Sequence, residues 1–179
     1  MEKTISPSKS AMQYGVIFGI IMILELVISY SFDLTAENKA YGISINLLNF
    51  LILPVTLIVI GCNNFKDKFN SGFISFSECL KIGVTICIVA ALMYAIFYVI
   101  FNMAFPEFGE KIINQAKEAI IKQGEGKPKE QTEMTIAMTE KMMSPFVIVP
   151  ITIVMYAFIG LIFSLIIGAI LKKERPNSF

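Results

Sequence analysis

Four stretches of the chain are unbroken apolar runs, and polar and charged residues collect in the segments between them. The runs extend from about Ala11 to Phe32, Tyr41 to Cys62, Ile82 to Phe105 and Phe146 to Leu171. Each meets the length of about 20 residues that an α-helix needs to cross a hydrocarbon core of about 30 Å. The only charge inside them is Glu25. The last three have no charged face, which excludes helices lying flat in the interface. The first follows Lys3 and Lys9, as a signal peptide would, but it is longer than a typical signal core. No small-x-small cleavage site follows it, so an uncleaved span is expected.

The connections have patterns of their own. Asn63 to Lys81 reads as a turn followed by a helix start: Asn70-Ser71-Gly72 breaks the chain, and Ser75-x-x-Glu78 fits a capping box. The third helix is then expected to begin before it enters the bilayer, with Phe65, Phe69, Phe73 and Phe76 at the interface beside snorkelling lysines. The long segment 106–144 divides at Gly124-Glu125-Gly126-Lys127-Pro128. Before the break, Phe108, Ile112, Ala116 and Ile120 recur every four residues, an amphipathic helix resting on the membrane or the bundle. After it, Met134, Met138 and Met142 form a similar stripe, on a helix expected to run into the fourth span with a bend at Pro145. The predicted fold is all-α: an integral membrane four-helix bundle, one membrane domain over 1–179, whose outer loop contains two short amphipathic helices.

Composition agrees with this pattern. The chain is 55% hydrophobic and 16% charged with a mean hydropathy of +0.69, so lipid is the expected partner of most of its surface. Its net charge of +1 creates no field that would recruit nucleic acid. Placement matters more than the sum. Lys3 and Lys9 precede the first span, Lys66, Lys68 and Lys81 lie between the second and third, and Lys172, Lys173 and Arg175 follow the fourth. The positive-inside rule then puts both termini in the cytoplasm and the 106–144 segment outside.

Candidate chemistry is sparse. There is no histidine, which removes serine-histidine and cysteine-histidine catalysis and the commonest metal ligand. Cys62, Cys79 and Cys87 are odd in number, lie in or beside apolar segments and form no C-x-x-C pair, so a disulfide framework is not expected. Phosphate-loop, H-E-x-x-H and dinucleotide fingerprints are missing. The methionine stripe invites a soft-metal reading, but no histidine or cysteine supplements its thioethers, so no metal and no cofactor is expected.

Glu25 is the strongest single candidate. A charged carboxylate buried in a span costs several kcal/mol, so it should be neutral, paired or facing a polar cavity. It lies seven residues below Phe32, while Asn46 and Asn49 lie five and eight residues below Tyr41, depths that agree to within about one helical turn. Tyr98 on the third span and Thr152 and Tyr156 on the fourth fall at similar depth, so Glu25, Asn46, Asn49, Tyr98, Thr152 and Tyr156 form a candidate buried polar cluster. Structural hydrogen bonding between helices is the plainer role for Glu25. Small residues recur every four positions: Ala11, Gly15 and Gly19; Gly83, Cys87, Ala91 and Ala95; Gly160, Ser164 and Gly168. That spacing allows close helix packing, within the chain or across a homodimer.

The string from Ser71 to Gly83, SGFISFSECLKIG, resembles the segment leading into the third span of the domain-of-unknown-function 4199 family of small bacterial membrane proteins. The Tyr14-Gly15 start of the first span, the Phe105-Pro106-Glu107-Phe108 exit of the third and the charged helical segment before the last span are similar to it too. The resemblance implies a four-span protein of the bacterial inner membrane and supplies no catalytic residues. Glu25 is not part of that family pattern. The leading expectation is a non-enzymatic interaction or accessory component of the cell envelope, meeting a protein partner through its outer helices. The alternative is a small transporter or channel built on the Glu25 cluster.

Overall fold

The computed structural model describes residues 5–32, 34, 39–124 and 128–174. Among the described residues, seven α-helices follow one another: α1 (Pro7–Ser31), α2 (Lys39–Leu47), α3 (Leu53–Phe69), α4 (Phe76–Ala104), α5 (Pro106–Gln123), α6 (Lys129–Met143) and α7 (Pro145–Leu171). A π-helical turn, Leu48–Ile52, joins α2 to α3 without a break. Four helical rods, Pro7–Ser31, Ala40–Phe69, Phe76–Ala104 and Pro145–Leu171, are long and apolar enough to cross a bilayer. The chain is a multi-pass all-α membrane protein.

Two of the rods start at a side-chain cap. Ser6 Oγ accepts from the Lys9 amide and Pro7 opens α1 with its φ already helical. Ser75 and Glu78 close a reciprocal capping box: the Glu78 amide donates to Ser75 Oγ at 3.3 Å, and the Ser75 amide to Glu78 Oε2 at 2.7 Å. The reversal between α3 and α4 passes through Ser71 at φ 54° and Gly72 at φ 83°, and the second of these is the left-handed geometry that glycine adopts without strain.

The π-helical turn has a local cause. Pro54 has no amide proton, and its ring crowds the carbonyl four residues earlier. The chain relieves this one residue upstream, where the Leu53 amide bonds to Leu48 O, five residues back. This widened turn carries Asn49 and Phe50.

α4 is the central helix, with α1 and α7 packed along it and α3 wedged against all three. Gly15 and Gly19 of α1 lie against Val89 and Met93 of α4, and Gly160 of α7 lies so close that a Cβ there would stand 2.9 Å from Gly83 O. Gly168 sits against Cys79 and Phe76, and Ala91 is fully buried. The small residues therefore face partners within the same chain.

Buried apolar side chains, Phe18, Ile58, Cys62, Phe65, Ile82 and Ile86 among them, concentrate in the half of the bundle that carries the described chain ends. At that end the Ile74 amide donates to Lys173 O at 3.0 Å and the Lys173 amide to Ile74 O at 2.8 Å, tying the α3–α4 connection to the residues after α7.

Three sequence-based expectations need correction. α3 does not end near Cys62 but continues to Phe69. Phe65, expected at the interface, is instead 3% exposed, because the continued helix carries it into the buried core that also holds Ile74. α6 does not bend into α7: Ser144 is extended (ψ 141°), as expected for a residue preceding proline, and Pro145 begins a separate helix. Between the first two apolar runs, residues 33 and 35–38 lie outside the described residues, as do residues 125–127 of the second breaker, Lys3 and Arg175.

Candidate functional site

In the other half of the bundle the side chains do not close into a core. They surround a cavity of ≈ 850 Å³. α1 presents Met22, Glu25, Leu26 and Ser29 to it, the three- and four-residue spacing of one helix face. The widened turn contributes Asn49 and Phe50, α4 contributes Tyr94 and Tyr98, and α7 contributes Thr152, Met155 and Tyr156. All six residues of the candidate polar cluster, Glu25, Asn46, Asn49, Tyr98, Thr152 and Tyr156, line this one cavity.

They do not form one hydrogen-bonded network. Asn49 Nδ2 donates to Glu25 Oε2 at 2.5 Å. The Asn46 amide turns back to Gly42 O, and the Thr152 hydroxyl bonds to Ile148 O of its own helix. Asn49 and Tyr156 are buried, at 8% and 3% exposure, whereas Asn46 is exposed. Two buried acceptors, Glu25 Oε1 and Asn49 Oδ1, have no hydrogen-bond donor among the described residues. Buried polar atoms are rarely left this way, and such atoms in a cavity wall mark where a ligand's donors would be received.

Aromatic rings form much of the wall. Phe50 stacks on Tyr156 with centroids 5.8 Å apart, and Tyr94 stacks on Tyr98 at 6.0 Å. Tyr94 was not singled out from sequence, although its place four residues before Tyr98 puts both on one helix face. Phe50 and Ser29 were missed as well; Ser29 shares its hydroxyl hydrogen bond with Tyr41.

α5 covers the cavity. Phe108, Ile112 and Ala116 of its apolar stripe line it, so that face rests on the bundle. Two contacts hold the helix there. The Tyr30 hydroxyl donates to Glu107 Oε1 at 3.0 Å, and the Tyr30 ring lies edge-on to Phe101 and Phe108. Lys111 is the lysine of the lining. α6 is tied to α5 by the Lys117–Glu140 ion pair at 2.5 Å, while Met134, Met138 and Met142 are exposed at 74%, 63% and 48%. Among the described residues no three of histidine, cysteine, aspartate and glutamate gather into a group that could hold a metal.

Comparison with known proteins gives one match: the family model described as protein of unknown function (DUF4199) covers residues 13–173. No curated protein and no solved structure matches the chain.

Proposed function

Since the chain belongs to the DUF4199 family, we propose that this multi-pass membrane protein is a non-enzymatic binding protein or small transporter that takes a small molecule into the cavity around Glu25. The observation that carries the reading is the convergence of four spanning rods and α5 on one cavity, whose buried Glu25 and Asn49 acceptors lack donors. A cavity of ≈ 850 Å³, mostly apolar with a few convergent polar groups, falls in the size range of small-molecule sites. An intramembrane carboxylate that faces such a space is itself a pointer to a substrate or ion path. By the positive-inside rule we also place both termini in the cytoplasm of a bacterial cell and the cavity in the outer half of the inner membrane.

The reading is tested by water access. In a background lacking Cys62, Cys79 and Cys87, cysteine replaces Glu25 or Tyr98 in the cavity, or Ile17 on the exposed outer face of α1. A membrane-impermeant thiol reagent is then applied to intact cells. Labelling at positions 25 and 98 with protection at 17 is the expected result. Protection at both cavity positions in folded protein would remove the aqueous path and the reading with it.

The exposed Met134, Met138 and Met142 face supports a second reading, an accessory protein that meets a partner through α6. Replacing all three by serine would abolish co-purification of that partner without changing thiol access in the cavity.

A further inference from the structure

We propose that the ligand of this cavity is a protonated amine with an apolar body, its ammonium N–H groups donated to Glu25 Oε1 and Asn49 Oδ1. This inference rests on the reading of the cavity as a small-molecule site and adds the chemical class of the occupant.

The donor and acceptor inventory comes first. One of the two Asn49 amide hydrogens is spent on Glu25 Oε2, and beside it stand two acceptors that no donor reaches among the described residues, Glu25 Oε1 and Asn49 Oδ1. Both belong to one hydrogen-bonded pair, and both are buried. A group that satisfies them must bring at least two donors of its own, which an ammonium does and a carboxylate, phosphate or ether does not. Charge selects in the same direction. The carboxyl and amine side chains of the lining are Glu25, Glu107 and Lys111, two carboxyls against one lysine. Glu107 is exposed and takes the Tyr30 hydroxyl, whereas Glu25 has a buried oxygen without a donor, so Glu25 is the deep carboxyl of the site. In a site walled by apolar side chains, a Glu25 carboxylate in its ionised form calls for a cation.

The walls say which kind of cation. An inorganic ion needs about six oxygen ligands, and two free acceptors are too few to replace its water. An organic ammonium instead gains from aromatic faces, and Phe50, Tyr94, Tyr98 and Tyr156 line the cavity as two stacked pairs. The remaining lining, with Met22, Leu26, Ile45 and Ile112, would receive an apolar body and would reject a second charge.

The test uses the full-length protein in phosphatidylcholine nanodiscs and calorimetric titration, with empty nanodiscs subtracted. Four probes of similar size are compared: phenethylammonium, its N-trimethyl derivative, phenethyl alcohol and phenylpropionate. The expected result is saturable one-to-one binding of phenethylammonium at least about tenfold tighter than the alcohol, a weaker trimethyl derivative, and no binding of phenylpropionate. Glu25→Gln is expected to weaken the ammonium at least about tenfold more than it weakens the alcohol. The comparison on unsubstituted protein decides the matter even where that variant does not fold. Equal binding of alcohol and ammonium would overturn the amine assignment while leaving a binding cavity in place. A trimethyl derivative as tight as phenethylammonium would overturn the hydrogen-bond donation. Absence of binding by all four overturns the assignment; if cysteine at position 25 is also protected from the impermeant reagent, the cavity reading fails too.

Discussion

Asn49, in the widened turn before Pro54, reaches across to α1 and donates its side-chain amide to Glu25 Oε2 at 2.5 Å. This bond links two spans beside the cavity. A hydrogen bond to a charged or half-buried group contributes more than an average one, and leaving a buried partner unsatisfied costs about 1–3 kcal/mol.

Asn49→Leu should therefore destabilise the bundle by about 1–3 kcal/mol, because Glu25 keeps its carboxyl and loses its donor. Glu25→Leu combined with Asn49→Leu should cost less than the two single changes added together, since no polar atom is then stranded. Thermal melting in detergent reads both. Additive losses would mean that the pair is not energetically coupled.

The α4–α7 crossing is set by Gly83, where an added Cβ would stand 2.5 Å from Ser164 Cβ and 3.2 Å from Gly160 O. Gly83→Ala should cost about 1–3 kcal/mol, since a packed interface gives way only by shifting the helices. Ser164→Gly in the same chain should restore part of that loss by removing the nearest atom. A melting temperature unchanged by Gly83→Ala would contradict this crossing.

The pairing of Ile74 with Lys173 is made by backbone atoms, which separates two substitutions at one site. Lys173→Pro removes the donor to Ile74 O and should destabilise by about 1 kcal/mol. Lys173→Ala keeps both bonds and loses only the ammonium's position over the Phe73 ring, 5.6 Å from its centroid, an exposed interaction worth about 0.5–1 kcal/mol at most. Ile74→Ala, at a fully buried position, should cost about 2–5 kcal/mol. Chemical denaturation of the three variants gives the order directly.

The Lys117–Glu140 pair joins α5 to α6 with both side chains partly exposed. Lys117→Ala should change global stability by less than about 1 kcal/mol, as surface ion pairs do. Its expected effect is local: faster hydrogen exchange in the last turns of α5 and in α6. Equal exchange in the variant and the parent would show that packing alone holds the two helices together.

Much of the architecture is legible in residue order because its causes are local. Twenty-residue apolar runs can satisfy their backbone only as helices in lipid, and the Ser75–Glu78 box and Ser6-Pro7 mark helix starts within a single turn. The depth argument that grouped Glu25, Asn46, Asn49, Tyr98, Thr152 and Tyr156, all of which line one cavity although Asn46 is exposed, is local in the same way: rise per residue fixes height along a helix before any partner is known. Height does not fix azimuth. Whether Asn46 bonds to Glu25 or back to Gly42 depends on how the second rod is rotated, and Pro54 alters that rotation through the widened turn.

The sequence by itself determined the four apolar runs, the Ser75–Glu78 cap and the depth of the one carboxylate inside those runs. It also determined that any site here must work without histidine. Only the tertiary structure decided that α4 lies at the centre, that Phe65 belongs to the core and that Ile74 pairs with Lys173. It alone showed that α5 covers a cavity in which Glu25 and Asn49 keep unpaired acceptors. The physical reason is that spans in lipid lack the hydrophobic drive that sorts the faces of a soluble helix. Close packing at Gly83, Gly160 and Ser164 chooses the neighbours instead, and that choice depends on shapes that meet only after the chain has folded.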